Sequence, residues 1–484
     1  MHELYEACSV LRDGTLSDGS VKRICSALQR KASRDPALTT EEKNHLRQQI
    51  SSVPKADGPA HYAVAQMAAI LEADYLRRWA KVVASPDFTV EHFARSIAAH
   101  VLDAGFSAKH LHSVIKRHIA SEHGVTLADI CEDLHTELAR SPVRPFQVLL
   151  AFHRPPRLAQ GIPPDWLQGT AVTDWLIANG FDTADVRAPV GIVLTVEARD
   201  SAGAAQAARE ISDRFAARAR IATGAPLKRV PSLWVAGDAA PVAHAEESRG
   251  VRVKELDREG RIFTSSGDGD GVDAAIELLA HLDESSPTAA IAGGWGAIEG
   301  LLADPGDRAS AADNLAALVA CSFPRAELTA LSFRAANEDA TVAAQLNGMT
   351  SNRDRSRLVA KLIVDGQFPS LRSSADQAAA ARLKKLLHDP SRELMTIKEV
   401  IAEAFHRLYR QRNLILHGGR LDSVTLKASL RTVARLAGAG IDRITHGHYV
   451  QSFRPLELVA RADLSIALIT RQSAISCVDL LERV

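Results

Sequence analysis

Residues Thr396 to Arg420 read TIKEVIAEAFHRLYRQRNLILHGGR, a helix that runs into a glycine turn. Its apolar residues Ile397, Val400, Ile401, Ala404, Phe405, Leu408, Ile415 and Leu416 recur at spacings of three and four, the period of a helix with one buried stripe. Extended by four from Leu408, the stripe lands on Arg412. A guanidinium on the core side of a helix has to be paired or to line a groove, because an unpaired buried charge costs several kcal/mol. His417 follows Asn413 by one helical turn, and Gly418 and Gly419 after it supply the left-handed positions that end helices. At about 100° per residue Asn413 and His417 stand nearly one above the other, and Arg412 reaches the same space with its long side chain.

Arginine, asparagine and histidine in one small volume suit phosphodiester chemistry without a metal. Histidine titrates near neutrality and can take a proton from a ribose 2′-hydroxyl or give one to a leaving 5′-oxygen. Arginine holds a phosphate through paired hydrogen bonds and stabilises its extra charge in the transition state, while asparagine orients the ring or the phosphate. The alternative on the same residues is structural: Arg412 in a buried ion pair, and His417 capping a helix C-terminus, where the helix dipole favours a cation.

The run Leu408-Tyr409-Arg410-Gln411-Arg412-Asn413-Leu414-Ile415-Leu416-His417-Gly418-Gly419 resembles the signature helix of HEPN-domain proteins, particularly the Apea-like group, in which a bulky residue such as Tyr409 precedes R-N-x-x-x-H-G. A second piece, Gly294-Trp295-Gly296-Ala297-Ile298-Glu299-Gly300-Leu301-Leu302, resembles the W-x-A-L-E-x-L helix these domains carry upstream. The resemblance covers roughly 270–484. It implies a helical bundle, no cofactor, and a metal-independent ribonuclease of a defence, toxin or RNA-processing system, with Arg412, Asn413 and His417 at the site. Other members of the group only bind. Glu299 matches an upstream family position, and it is expected to pair with Arg412.

The chain has 484 residues, too many for one ordinary core, and 58 basic against 58 acidic residues leave no global positive field. An RNA partner therefore needs a local patch. Arg407, Arg410 and Arg420 provide one beside Arg412, with only Glu403 opposing them between Ile401 and Arg420, and Arg431, Arg435, Arg443 and Arg454 follow. Five scattered cysteines, Cys8, Cys25, Cys131, Cys321 and Cys477, form no C-x-x-C pair and fit reduced cytoplasmic thiols. Neither a signal-peptide core nor a run of membrane-spanning length is present, so a cytoplasmic protein with no membrane partner is expected.

Three parts are expected along the chain. Residues 1–160 read as a helical domain, broken at Asp35-Pro36, Val53-Pro54, Ser85-Pro86, Gly105 and Ser141-Pro142. Within it His110, His112, His118 and His123 lack ligand spacing for a metal. Pro155-Pro156 and Gly161-Ile162-Pro163-Pro164 mark a boundary, after which 161–269 reads as a small α/β domain: a strand at Val190–Ala198, a helix at Ala202–Ala219, and short strands at Ser232–Ala236, Val251–Glu255 and Arg261–Thr264. Gly267-Asp268-Gly269-Asp270-Gly271 lacks the later ligands of a calcium loop and reads as a linker. Residues 270–484 return to helices, at Ala274–Leu282, Pro287–Leu302, Ala311–Val319, Ala326–Leu331, Ser356–Ile363, Ala375–Leu387, the Thr396 helix and Ser423–Ala437. His446 and His448, just past the last of these, are candidates for a second proton-transfer group or loop histidines without a role.

The fold class is thus α+β, predominantly α, with a helical N-terminal domain, an α/β middle and a C-terminal HEPN-like bundle. The expected function is a metal-independent endoribonuclease, an antiphage-defence or toxin-like effector that leaves 2′,3′-cyclic phosphate and 5′-hydroxyl ends. It works as a homodimer through the C-terminal domain, under an activating protein or phage component sensed by the other domains. The alternative is a non-catalytic RNA-binding or scaffold protein in which the same helix makes a dimer interface.

Overall fold

The structure, a computed structural model, describes residues 1–84, 88–120, 124–154, 161–184, 186–245, 248–264 and 271–482. Ser85-Pro86, His123, Pro155-Pro156 and the Gly267–Asp270 stretch lie outside the described residues. Helix accounts for 66% and strand for 7%, so the chain is α+β with helix predominant. It divides into two compact units, Met1–Glu247 and Ser248–Val484. The boundary expected at 160 falls inside the first unit, and the one expected at 269 falls beyond the start of the second.

The first unit opens with helices α1 (His2–Arg12), α2 (Asp18–Arg34), α3 (Thr40–Gln49), α4 (Pro59–Val82), α5 (Val90–Asp103), α6 (Ala108–Ile119) and α7 (Leu127–Arg140). Most begin on a side-chain cap: Ser17, Thr39, Thr89, Ser107 and Thr126 each accept a backbone N–H of the first turn. The helical pattern expected to reach residue 160 stops early, at β1 (Arg144–Phe152). β1 is the middle strand of an antiparallel sheet that also holds β2 (Leu167–Gln168), β3 (Val190–Ala198), β4 (Arg229–Val235) and β5 (Val242–Ala243), in the order β2-β3-β1-β4-β5. Phe146, Val148, Leu150 and Phe152 pack toward α9 (Ser201–Thr223), while Leu149 and Ala151 pack toward α8 (Thr170–Ala178). A strand buried on both faces reads as a continuous apolar run, which periodicity does not distinguish from a buried helix.

Arg199 explains why the helices and the sheet form one unit. Its Nε donates to the Ala104 carbonyl at 2.5 Å, and its Nη1 donates to those of Leu138 at 3.1 Å and Ser141 at 2.8 Å, so one cation closes the C-terminal ends of α5 and α7. Two of the α6 histidines face α7: His118 Nε2 is hydrogen-bonded to Asp133 at 3.0 Å, and His110 Nε2 lies 3.3 Å from Glu137.

The second unit contains α10 (Glu255–Arg258), α11 (Gly271–Glu284), α12 (Pro287–Leu302), α13 (Ser310–Glu338), α14 (Ala340–Leu346), α15 (Asn352–Val364), α16 (Ser374–His388), α17 (Pro390–Leu416), α18 (Leu426–Tyr449), α19 (Pro455–Leu468) and a 3-10 turn at Arg471–Val478. The strands expected at Val251–Glu255 and Arg261–Thr264 are an irregular strap with α10 and a turn. Among the described residues no strand pairs with the strap, which lies on α18, where the Glu255 N–H donates to Asp442 Oδ1 at 2.8 Å and Glu255 Oε1 sits 2.5 Å from His446 Nδ1.

α13 is the axis of this unit and carries an unbroken helix through Pro324, where two helices were expected. It is, among the described residues, the one helix long and apolar enough to cross a membrane, and most of its apolar window is buried inside the protein. α17 packs along it, with α12 and α18 alongside. α11 and α12 meet closely because Gly293 and Gly294 leave out a side chain: a Cβ on Gly293 would stand 2.8 Å from the Leu278 carbonyl.

Candidate active site at the end of α17

The buried side of α17 runs Ile401, Ala404, Phe405, Leu408, Gln411 and Ile415. The step after Leu408 is three residues, so Gln411, 2% exposed, takes the core position expected of Arg412. Arg412 is half-buried at the edge of the stripe, while Val400 and Leu416, counted in the stripe, are more than half exposed. Arg412 therefore sits where a cation keeps contact with solvent and still reaches past the helix end.

The sequence places Arg412, Asn413 and His417 together, and so does the structure. Arg412 Nη1 donates to Asn413 Oδ1 at 3.0 Å and lies 2.8 Å from His417 Nε2. Asn413 is buried at 8% exposure, and His417 is exposed at the helix C-cap. Gly419, at φ 62°, turns the chain, and its N–H and that of Arg420 return to the carbonyls of Ile415 and Leu414. Gln411, which sequence reasoning passed over, steadies this turn from beneath: its Nε2 donates to Ser423 Oγ and Thr425 Oγ1, both at 2.8 Å. Counting the stripe as 408, 411, 415 would have found it.

Tyr409 joins the two motifs. Its ring packs on Trp295 with centroids 4.8 Å apart at 43°. Trp295 is 1% exposed and donates its Nε1–H to Glu299 Oε2 at 2.5 Å. Glu299 Oε1 faces Arg308 Nε at 3.4 Å. The ion pair expected between Glu299 and Arg412 does not form: the carboxylate is taken up by its own helix and the following loop, and Arg412 turns toward His417. Glu299 thus supports the site only through Trp295 and Tyr409.

The expected basic patch is thinner than its sequence. Arg410 is 7% exposed and belongs to the interior, so it is not an RNA contact. Arg407 and Arg420 are half-buried, and Arg431 and Arg435 are exposed on α18. Arg443 is buried, with Nη1 3.4 Å from Glu482 Oε1. His446 and His448 belong to the last turn of α18 instead of the loop expected there. They stand about 30 Å along that helix from its start beside the glycine turn, at 1.5 Å per residue. His446 is also engaged by Glu255, so neither supplies a second proton-transfer group to His417 of the same chain. A pair missing from the sequence reading is buried His406 with half-exposed Asp313, whose two carboxylate oxygens each lie 3.1 Å from Nε2.

No family model, no curated protein and no solved structure matches this chain.

Proposed function

We propose that the second unit is a metal-independent endoribonuclease of HEPN type. The observation that carries this is the convergence of Arg412, Asn413 and an exposed His417 within hydrogen-bond reach at the mouth of α17. His417 takes the proton of a ribose 2′-hydroxyl, the 2′-oxygen attacks phosphorus, and the P–O5′ bond breaks. Arg412 holds the equatorial phosphate oxygens, and Asn413 orients the guanidinium. Each role is filled by a side chain, so the reaction needs no metal. Trp295 and Tyr409 fix the segment of α17 from which Arg412 projects, and Arg407 and Arg420 flank it as backbone contacts for the RNA.

The leaving 5′-oxygen needs an acid, which a second copy of His417 across a two-fold axis supplies. Leu416, Leu421 and Val424, exposed by 52%, 49% and 55%, rim the site and give a homodimer an apolar contact. The same rim would serve a scaffold that only pairs and binds, which is the second reading. In the enzyme reading the protein acts in the cytoplasm as a defence or toxin-like effector, with the first unit sensing the trigger. Fragments should carry 5′-hydroxyls that a kinase labels without prior phosphatase treatment, and 2′,3′-cyclic ends that resist tailing. Fragments with 5′-phosphates would point to other chemistry, and light scattering on the active protein should give a dimer.

A further inference from the structure

The bond between Arg412 and His417 has a fixed direction. A guanidinium carries donors only and stays protonated, so Arg412 Nη1–H donates and His417 Nε2 accepts across their 2.8 Å. The second hydrogen of the same nitrogen goes to Asn413 Oδ1 at 3.0 Å. An imidazole that accepts at Nε2 is neutral and carries its proton on Nδ1. A protonated ring would set N–H against N–H and like charge against like charge, so the contact belongs to the neutral ring.

We infer that Arg412 both prepares and covers the base: at rest it holds His417 as the Nδ1–H tautomer with its Nε2 lone pair occupied, and a phosphodiester uncovers that lone pair by drawing the guanidinium away. This rests on the ribonuclease reading and adds a coupling to it. Both resting acceptors of Nη1, an amide oxygen and an imidazole nitrogen, are neutral, whereas a phosphate oxygen is anionic and adds charge–charge attraction and a bidentate geometry to the hydrogen bond. The anion therefore wins Nη1 and leaves Nε2 free beside the 2′-hydroxyl. In the step that follows the O2′–H bond breaks and Nε2–H forms. The O2′–P bond forms as P–O5′ breaks, and O5′ takes its proton from the His417 of the second copy, whose Nε2 has bound a solvent proton once its own Arg412 is drawn to the substrate; neither Arg412 gives up a proton. The base is thus exposed only where a phosphate is already held, and the same residue that clamps the substrate fixes which nitrogen acts. Arg412 is a positioning residue for His417 as well as a phosphate contact.

The test is an imidazole nitrogen correlation spectrum of the full chain labelled with nitrogen-15 histidine, at about pH 8, above the ordinary imidazole range. The His417 signals are identified by their loss in His417→Gln. The resting protein should show His417 protonated at Nδ1 and bare at Nε2, and saturation with a 2′-deoxy oligonucleotide, which binds without being cut, should shift Nε2 and the Arg412 side-chain N–H together. Arg412→Met should release the tautomer preference. A resting Nε2–H tautomer, or an Nε2 signal indifferent to the saturating oligonucleotide, overturns the inference even if the protein cuts RNA. The expected spectrum in a protein that cuts no RNA would uphold the coupling and sink the ribonuclease reading alone.

Discussion

Glu482→Gln should loosen the second unit far more than removal of the arginine it faces. Arg443 is 6% exposed, and its Nη2 donates to the Leu481 carbonyl and, at 3.1 Å, to Gln451 Oε1. Glu482 Oε1 lies 3.4 Å from Arg443 Nη1 and 2.5 Å from Arg325 Nη2. Burial pushes the Arg443 pKa down to about 10 from 12.5, against the pull of Glu482. At 1.36 kcal/mol per pH unit its charge is already about 3 kcal/mol less favourable there than in water. Neutralising Glu482 takes away the charge that offsets this, and breaking a buried pair from one side costs about 3–5 kcal/mol. The remaining bonds to Leu481 and Gln451 set the expectation at the lower end. About 3 kcal/mol corresponds to roughly 150-fold faster amide exchange in the slowest peptides of α18 and Pro455–Leu468, read by mass spectrometry. Arg443→Met removes the costly charge and leaves Glu482 with Arg325, so its exchange should stay within about tenfold of wild type. The double variant should return toward that level. Equal damage from the two single changes, or less than threefold acceleration in Glu482→Gln, would refute the reasoning.

Two further expectations follow from buried groups. Burial pushes the thiols of Cys8, Cys131, Cys321 and Cys477 up to about 12 and raises that of Cys25, and all five side chains are buried. An alkylating reagent at about pH 8 should leave the native chain unmodified and label all five on denaturation, and rapid native labelling would contradict the packing. Burial lowers the pKa of His100 and of His244 from 6.5 to about 4, so the unfolded first unit binds more protons than the folded one between those values. Its stability should be full above pH 6.5 and fall as pH drops toward 4, by at most about 3 kcal/mol per ring and less because both rings are partly exposed. Urea midpoints of the tryptophan fluorescence at several pH values measure this, since Trp79, Trp166, Trp175 and Trp234 lie in the first unit, and a flat profile would count against it.

Much of the second unit was legible because its helices are amphipathic and its motifs local. The expected helix Pro287–Leu302 and strand Val190–Ala198 have the observed ends. Arg412, Asn413 and His417 meet because a six-residue segment at a helix end is governed by helix geometry alone. What failed depended on tertiary partners. β1 hid because a strand covered on both faces loses its alternation, and the strap at Val251–Glu255 has strand-like residues but, among the described residues, no strand to pair with. Glu299 was assigned to Arg412 on the rule that buried arginines find carboxylates, yet Arg412 is not fully buried, and Trp295 and Arg308 are nearer claimants. Arg410 and Arg443 look like surface cations in a list of arginines, and only packing shows that they are interior.

The most direct measurement is cleavage of mixed RNA by the purified chain in EDTA, wild type beside His417→Ala. His417 is exposed at a helix end, so its loss should leave the fold intact. The wild-type protein should cut the RNA in the chelator, and His417→Ala should melt with the wild type and leave the RNA whole. Cleavage by His417→Ala at the wild-type rate, or wild-type cleavage that stops in EDTA and returns with a divalent ion, would contradict the assignment of this site.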